Sequence, residues 1–162
     1  MPTRVYLLRH AESAAPHVFN GQESDVDLSA FGHRQAQAVA PVLARYAPHA
    51  IVSSGMKRAI QTAAPLAELC AINLHIEPLL HERRVGALSG QPFQKDRGLW
   101  PETLEKWVQG NTEYTPDGAE SFDEIRDRIL PVWERLVLQN QDKTFVIVAL
   151  GMVCIVLLLT IS

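Results

Sequence analysis

From Phe145 to Ile161 the chain carries no charged side chain, and most of its residues are large aliphatics. Water tolerates such a stretch in few places. A membrane-spanning helix needs roughly 17–25 apolar residues, and this run only reaches the lower end of that range. No aromatic or basic anchor follows it before Ser162, although interfacial anchors normally flank a span. The alternative is a buried strand leading directly into a buried helix, divided at Gly151. Strands of parallel sheets are covered on both faces and read as continuous apolar runs, so this reading is preferred and a membrane partner is not expected.

The remainder of the chain supplies the other layers of such a fold. Val5–Leu8 and Ala50–Val52 are short apolar runs that end in polar turns, and Leu74–Ile76 is a third strand candidate. Ser29 is suited to cap a helix whose stripe is Phe31, Ala36, Val39, Ala40 and Leu43. A second helix is predicted from about Lys57 to Cys70, and a third from Gly118 to Leu138 with Pro131 kinking it. Residues 79–115, with prolines and glycines scattered among aromatics, read as one long irregular connection. Strand and helix alternation predicts an α/β three-layer sandwich with a largely parallel central sheet, formed as a single domain over residues 1–162. Right-handed crossovers would bring the turns after the first, second and last strands to one sheet edge, where open α/β sheets bind ligands.

Composition narrows the function. A net charge of −3 without a basic run gives a nucleic-acid partner no electrostatic support. The two cysteines, Cys70 and Cys154, lie in apolar stretches and suit small core residues of a reducing compartment. The apolar run near Met1 is too short for a secretory signal, so a cytoplasmic location is expected. The histidines and acids show no metal-ligand spacing, and no cofactor is expected.

At the candidate edge stand Arg9-His10-Ala11-Glu12-Ser13, and Ser53-Ser54-Gly55-Met56-Lys57-Arg58 leading into Ala59-Ile60-Gln61-Thr62-Ala63. Alone, the Arg-His pair reads equally well as a surface loop. Lys57 and Arg58 in the first turn of a helix oppose its macrodipole, which suggests an anion drawn to the same place, although a solvated first turn has the same composition.

Together these segments resemble the histidine phosphatase superfamily, the phosphoglycerate mutase-like fold. The match extends through Asp27-Leu28-Ser29 with Gly32, Gln35 and Ala36, through Leu80-His81-Glu82-Arg83-Arg84-Val85-Gly86-Ala87-Leu88-Ser89-Gly90, and through Asp117-Gly118-Ala119-Glu120-Ser121. The resemblance implies a small phosphorylated substrate, His10 as nucleophile through a phosphohistidine, Arg9 and Arg58 as phosphate ligands, and Glu82 as proton donor. It implies a phosphomonoesterase rather than a mutase, whose cofactor-holding insertion is missing. Glu82 would otherwise be a surface carboxylate paired with Arg83 or Arg84, and those two arginines read either as contacts for a second negative group on the substrate or, in preference, as part of a solvated loop. The stretch Gln91–Thr115, with Phe93, Lys95, Arg97, Trp100, Trp107 and Tyr114, reads either as a lid over the leaving group or as a secondary core, with Trp107 expected in the core.

The sequence also departs from the family. Ala11 follows the nucleophile where a glycine is usual, and Pro16 stands where an asparagine is common. Val146-Ile147-Val148-Ala149-Leu150-Gly151 resembles the family's last strand, which ends in His-Gly, yet Leu150 occupies the histidine's place. Relatives usually continue beyond the helix in which this chain ends. Leu150 removes one donor from the pocket and is expected to lay apolar surface against a bound phosphate, giving a weakened catalyst. The alternative is a non-catalytic phosphate-binding or interaction protein that kept the fold.

Overall fold

The computed structural model describes residues 2–94 and 97–162; the expectation for Lys95 falls outside the described residues. Four strands form one all-parallel sheet: β1 (Arg4–Arg9), β2 (Ala50–Ser54), β3 (Leu74–Glu77) and β4 (Thr144–Ala149), in the order β1-β4-β2-β3. The helices are α1 (Ala30–Ala44), α2 (Lys57–Cys70), α3 (Leu99–Val108), α4 (Phe122–Gln139) and α5 (Gly151–Ile161).

The sheet order sets which face each helix covers. From β1 to β2 and from β2 to β3 the chain moves in one direction across the sheet, so right-handed crossovers put α1 and α2 on one face, where they pack together. From β3 to β4 the chain returns, which places α4 on the other face against α5. The result is a three-layer α/β sandwich. The chain therefore leaves β1 toward one face and leaves the adjacent β4 toward the opposite face. That divergence opens a crevice at the carboxyl ends of β1 and β4, the usual ligand position in open α/β sheets.

The aliphatic run lies in the middle of this arrangement. Phe145 to Ala149 have no exposed surface, because β4 is flanked by β1 and β2 and covered on both faces. Each large side chain so buried contributes about 1.5–3 kcal/mol. The helical half differs from expectation. Val153, Val156 and Leu157 are buried, whereas Ile155, Leu158, Leu159 and Ile161 are exposed, because α5 has the sheet and α4 on one side only. No helix among the described residues is long and apolar enough to cross a membrane.

Local signals explain the boundaries. Ser29 caps α1 by accepting the Gly32 N–H (2.9 Å). Ser121 and Glu124 form a reciprocal capping box that starts α4 at Phe122, so Gly118–Ser121 lie in the turn before it and not in the helix. α4 continues through Pro131. Phe31 is exposed, not part of the buried stripe, and the Arg34 guanidinium lies 5.5 Å from its ring. The connection expected to be irregular contains α3 and two single 3₁₀ turns, Pro78–Leu80 and Gly86–Leu88.

Candidate active site

The crevice between the β1 and β4 ends deepens into a cleft of about 900 Å³. Arg9, His10, Arg58 and Glu82 all line one end of it. Residues from three separate strand–loop connections thus meet at one place.

His10 is set by its backbone. Its N–H donates to Ala149 O (2.9 Å), extending the β1–β4 ladder by one step beyond the strands. The next N–H, of Ala11, donates to the Thr62 hydroxyl (2.9 Å), which itself donates to Arg58 O (2.6 Å). Thr62 therefore ties α2 to the histidine turn. α1 closes on the same turn from another side, and a β-carbon at Gly32 would stand 2.1 Å from the Glu12 carbonyl oxygen. Only glycine permits that approach.

The His10 ring is held in one tautomer. Nδ1 lies 2.6 Å from the Ala11 carbonyl, which can only accept, so Nδ1 carries the proton. Nε2 is left with its lone pair and has no hydrogen-bond partner among the described residues. Burial, followed by the positive charges of Arg58 and Arg9, holds the ring pKa down at about 4, against the opposing Ala11 hydrogen bond. The ring is neutral, and nucleophilic at Nε2, throughout the neutral pH range.

The cations around it are arranged differently. Arg58 is buried, and its guanidinium donates to the carbonyls of Ser24 (2.9 Å) and Asn20 (3.0 Å), which fix the fork at the cleft wall. The side chain turns away from the α2 axis, and the Asp25 carboxylate accepts the Lys57 N–H (2.8 Å), placing a negative charge at the helix start. Arg9 is exposed and forms no hydrogen bond or ion pair among the described residues. It lies against Gly151, where a β-carbon would be 3.3 Å from the guanidinium carbon.

Glu82 is 7% exposed and pairs with neither Arg83 nor Arg84, so the reading as a surface ion pair is corrected. Its oxygens accept the N–H groups of Arg83 (2.9 Å) and Met152 (3.4 Å). Burial raises its pKa, outweighing those two hydrogen bonds and the charges of Arg58 and Arg83. Such a carboxyl is suited to hold a proton and give it up. The strand-to-loop segment that carries it is clamped from below. Arg128 donates to the carbonyls of Leu79 (2.5 Å) and His81 (3.0 Å) and pairs with Glu120 (3.0 Å), which also accepts the Arg84 N–H (2.9 Å).

Leu150 stands at the N-cap of α5 with its side chain wholly buried in the core, and it is not among the cleft-lining residues. The Leu150 side chain therefore lays no apolar surface against a phosphate: it packs among the core aliphatics, and Gly151 and Met152 line the cleft instead. His81 does not line the cleft either, and its Nδ1 is engaged by Glu82 O (2.7 Å). Arg83, expected in solvent, is 1% exposed and lines the cleft. Arg84 stays at the surface with a loose contact to Glu120 (3.9 Å).

Several site residues carry no signal in the sequence. Asn20, which is no motif match, lines the cleft, and its amide donates to Ala15 O (2.6 Å) and Val18 O (3.3 Å), shaping the loop that holds Arg58. Glu23 accepts the N–H groups of Val85 and Gly86 and anchors the far side of the Glu82 segment. These contacts span loops distant in sequence, so spacing alone could not reveal them. Among the described residues, no group of three or more His, Cys, Asp or Glu is placed to hold a metal ion. Cys70 and Cys154 are both free thiols, and burial pushes the Cys154 pKa up to about 12.

The chain is similar to known proteins over most of its length. The chain is 34% identical over 141 residues to a glucosyl-3-phosphoglycerate phosphatase of Mycolicibacterium vanbaalenii, covering 86% of this chain and 62% of the relative. It is 33% identical over 155 residues to a metal-independent phosphoserine phosphatase of Arabidopsis thaliana, covering 92% and 64%. The chain thus spans less than two thirds of the length of these curated relatives. Among solved structures, a mycobacterial glucosyl-3-phosphoglycerate phosphatase complexed with VO3 superposes with a TM-score of 0.83 at 29% identity, covering 95% of this chain and 79% of that one. A family model described as histidine phosphatase superfamily, branch 1, matches residues 5–162, and with the cleft built from the same segments this chain belongs to that superfamily.

Proposed function

We propose that residues 1–162 act as one metal-independent phosphomonoesterase that works through a phosphohistidine at His10. The observation that carries this reading is the partner-free Nε2 of His10, at the same end of the cleft as Arg9, Arg58 and the buried carboxyl of Glu82, whose pKa burial raises. Nε2 attacks phosphorus in line, the bond to the leaving oxygen breaks, and that oxygen takes the Glu82 proton. Water then attacks the phosphorus in line and gives a proton to the Glu82 carboxylate as the phosphorus–nitrogen bond breaks, its electron pair returning to Nε2, which releases phosphate and neutral His10. Arg9 and Arg58 neutralise the equatorial oxygens with charge-assisted bonds. Metal independence agrees with the Arabidopsis relative, a metal-independent phosphoserine phosphatase, and small phosphorylated substrates agree with that enzyme and with the two glucosyl-3-phosphoglycerate phosphatases.

Leu150 weakens this centre by omission. Its buried side chain offers no donor to the phosphoryl group, and losing one such donor costs about 10²–10³ in rate. The same observation favours a second reading, in which the protein binds phosphate esters without turning them over. The two readings are separated by hydrolysis of a generic aryl phosphate by the chain, its Leu150→His variant and His10→Ala. A gain of roughly two orders of magnitude in Leu150→His, with His10→Ala silent, is the expected result. Three folded but equally inactive proteins would leave only the binding reading.

A further inference from the structure

Away from the phosphate end, the cleft changes character. Phe93, Phe19, Trp100, Trp107 and Phe122 all line it, and each ring touches the next. Their centroids are 5.0, 6.2, 5.9 and 5.7 Å apart in turn, in tilted and edge-to-face arrangements. Such contacts fix ring orientation beyond what area burial does. The Arg83 guanidinium lies 4.8 Å from the Trp100 ring and 5.5 Å from that of Trp107. Neither of its terminal nitrogens has a hydrogen-bond partner or accessible surface among the described residues, so the two indole rings are its close neighbours there.

On the opposite side α5 presents Ile155 and Leu159 to the same space. At the mouth Val108 is 88% exposed and Leu159 68% exposed. Both are cleft residues, so an apolar rim leads inward to a rigid aromatic wall and ends at the cations beside His10. A hydrophilic leaving group would find little to hydrogen-bond with along this wall: the Arg83 terminal nitrogens are inaccessible, and the Thr112 hydroxyl already donates to Asp123 (2.8 Å).

We infer that the leaving alcohol is bulky and ring-bearing: the aromatic wall is a preformed leaving-group site that selects aryl or arylalkyl phosphate monoesters over small hydrophilic ones. The inference rests on the phosphate-end reading above and names the substrate class for that same site. Because the wall is rigid before the ligand arrives, little ordering is lost on binding, and ring burial appears as affinity.

The test uses non-hydrolysable phosphonates with CH₂ in place of the bridging oxygen, so that activity is not required. Calorimetric titration compares inorganic phosphate, ethylphosphonate and (1-naphthylmethyl)phosphonate on the intact chain. The naphthyl compound is expected to bind at least about tenfold more tightly than the ethyl compound. Trp100→Ala and, at an exposed position that does not threaten folding, Phe93→Ala should shrink that ratio severalfold while leaving inorganic phosphate affinity unchanged. Equal affinity for the two phosphonates, with phosphate still bound, would overturn the aromatic-site inference alone. A ratio untouched by both variants would do the same. Failure to bind inorganic phosphate at all would overturn the phosphate-end reading and this inference together.

Discussion

The two ends of the cleft are built on opposite principles. At the phosphate end, three of the four groups are held by backbone: His10 through Ala149 and Ala11, Arg58 through the carbonyls of Asn20 and Ser24, Glu82 through the N–H groups of Arg83 and Met152. At the other end side chains position side chains, ring against ring, with a guanidinium lying over two indoles. Backbone fixes reacting atoms to fractions of an ångström, as in-line transfer requires. Ring packing gives a smooth wall with shape and little polarity. Changes at the first end should therefore be read in rate, and changes at the second in stability and leaving-group affinity.

The largest effect should come from His10→Ala in the Leu150→His background, where aryl phosphate turnover falls by at least roughly 10³, measured as kcat, while the melting temperature holds. Glu82→Gln comes next, with a loss of about 10²–10⁴, smallest for substrates whose leaving group needs no proton. A uniform loss across leaving groups would remove Glu82 from the acid role. At the other end the currency changes. Trp107→Ala, which empties a buried site bonded to Tyr114 O (2.8 Å), should cost about 3–5 kcal/mol in denaturant unfolding. Activity lost without stability would break the contrast.

Two smaller effects sharpen it. The His10 pKa lies at about 4 in the fold against 6.5 ordinarily, so between those values the unfolded chain takes up a proton that the native ring refuses. Stability should therefore fall as pH drops from 6.5 to about 4, by on the order of 2–3 kcal/mol, and His10→Ala should lose that part of the slope. Arg83→Met should change unfolding free energy by only about 1 kcal/mol in either direction, because the guanidinium it removes is buried without a hydrogen bond. A large destabilisation would show that the cation–π contacts dominate the wall.

Legibility in the sequence follows the same division. Arg9, His10 and Arg58 were legible as neighbours because each lies in the turn after a strand, and Glu82 through the segment that resembles the family's; the structure brings all four to one cleft. Thr62 and Gly32 lie inside those segments, although their roles emerge only when α1 and α2 close on the His10 turn. α3 escaped notice because Pro101 and the flanking glycines mask a short amphipathic pattern. Arg83 was misread as a solvent residue because nothing local announces two tryptophans from a later helix.

The sequence by itself determined the alternation of strands and helices, the largely parallel sheet, the apolar run as a buried strand, and the position of Arg9, His10 and Arg58 at the sheet's carboxyl edge. These follow from periodicity, punctuation by glycine and polar turns, and the handedness of crossovers, all of which act over a few residues or one connection. Only the tertiary structure decided that Leu150 turns into the core, that Arg83 is buried without a hydrogen-bond partner, and that five rings from three regions form one wall. Those outcomes depend on which distant surfaces meet, and packing free energy belongs to the contact, not to either segment that makes it.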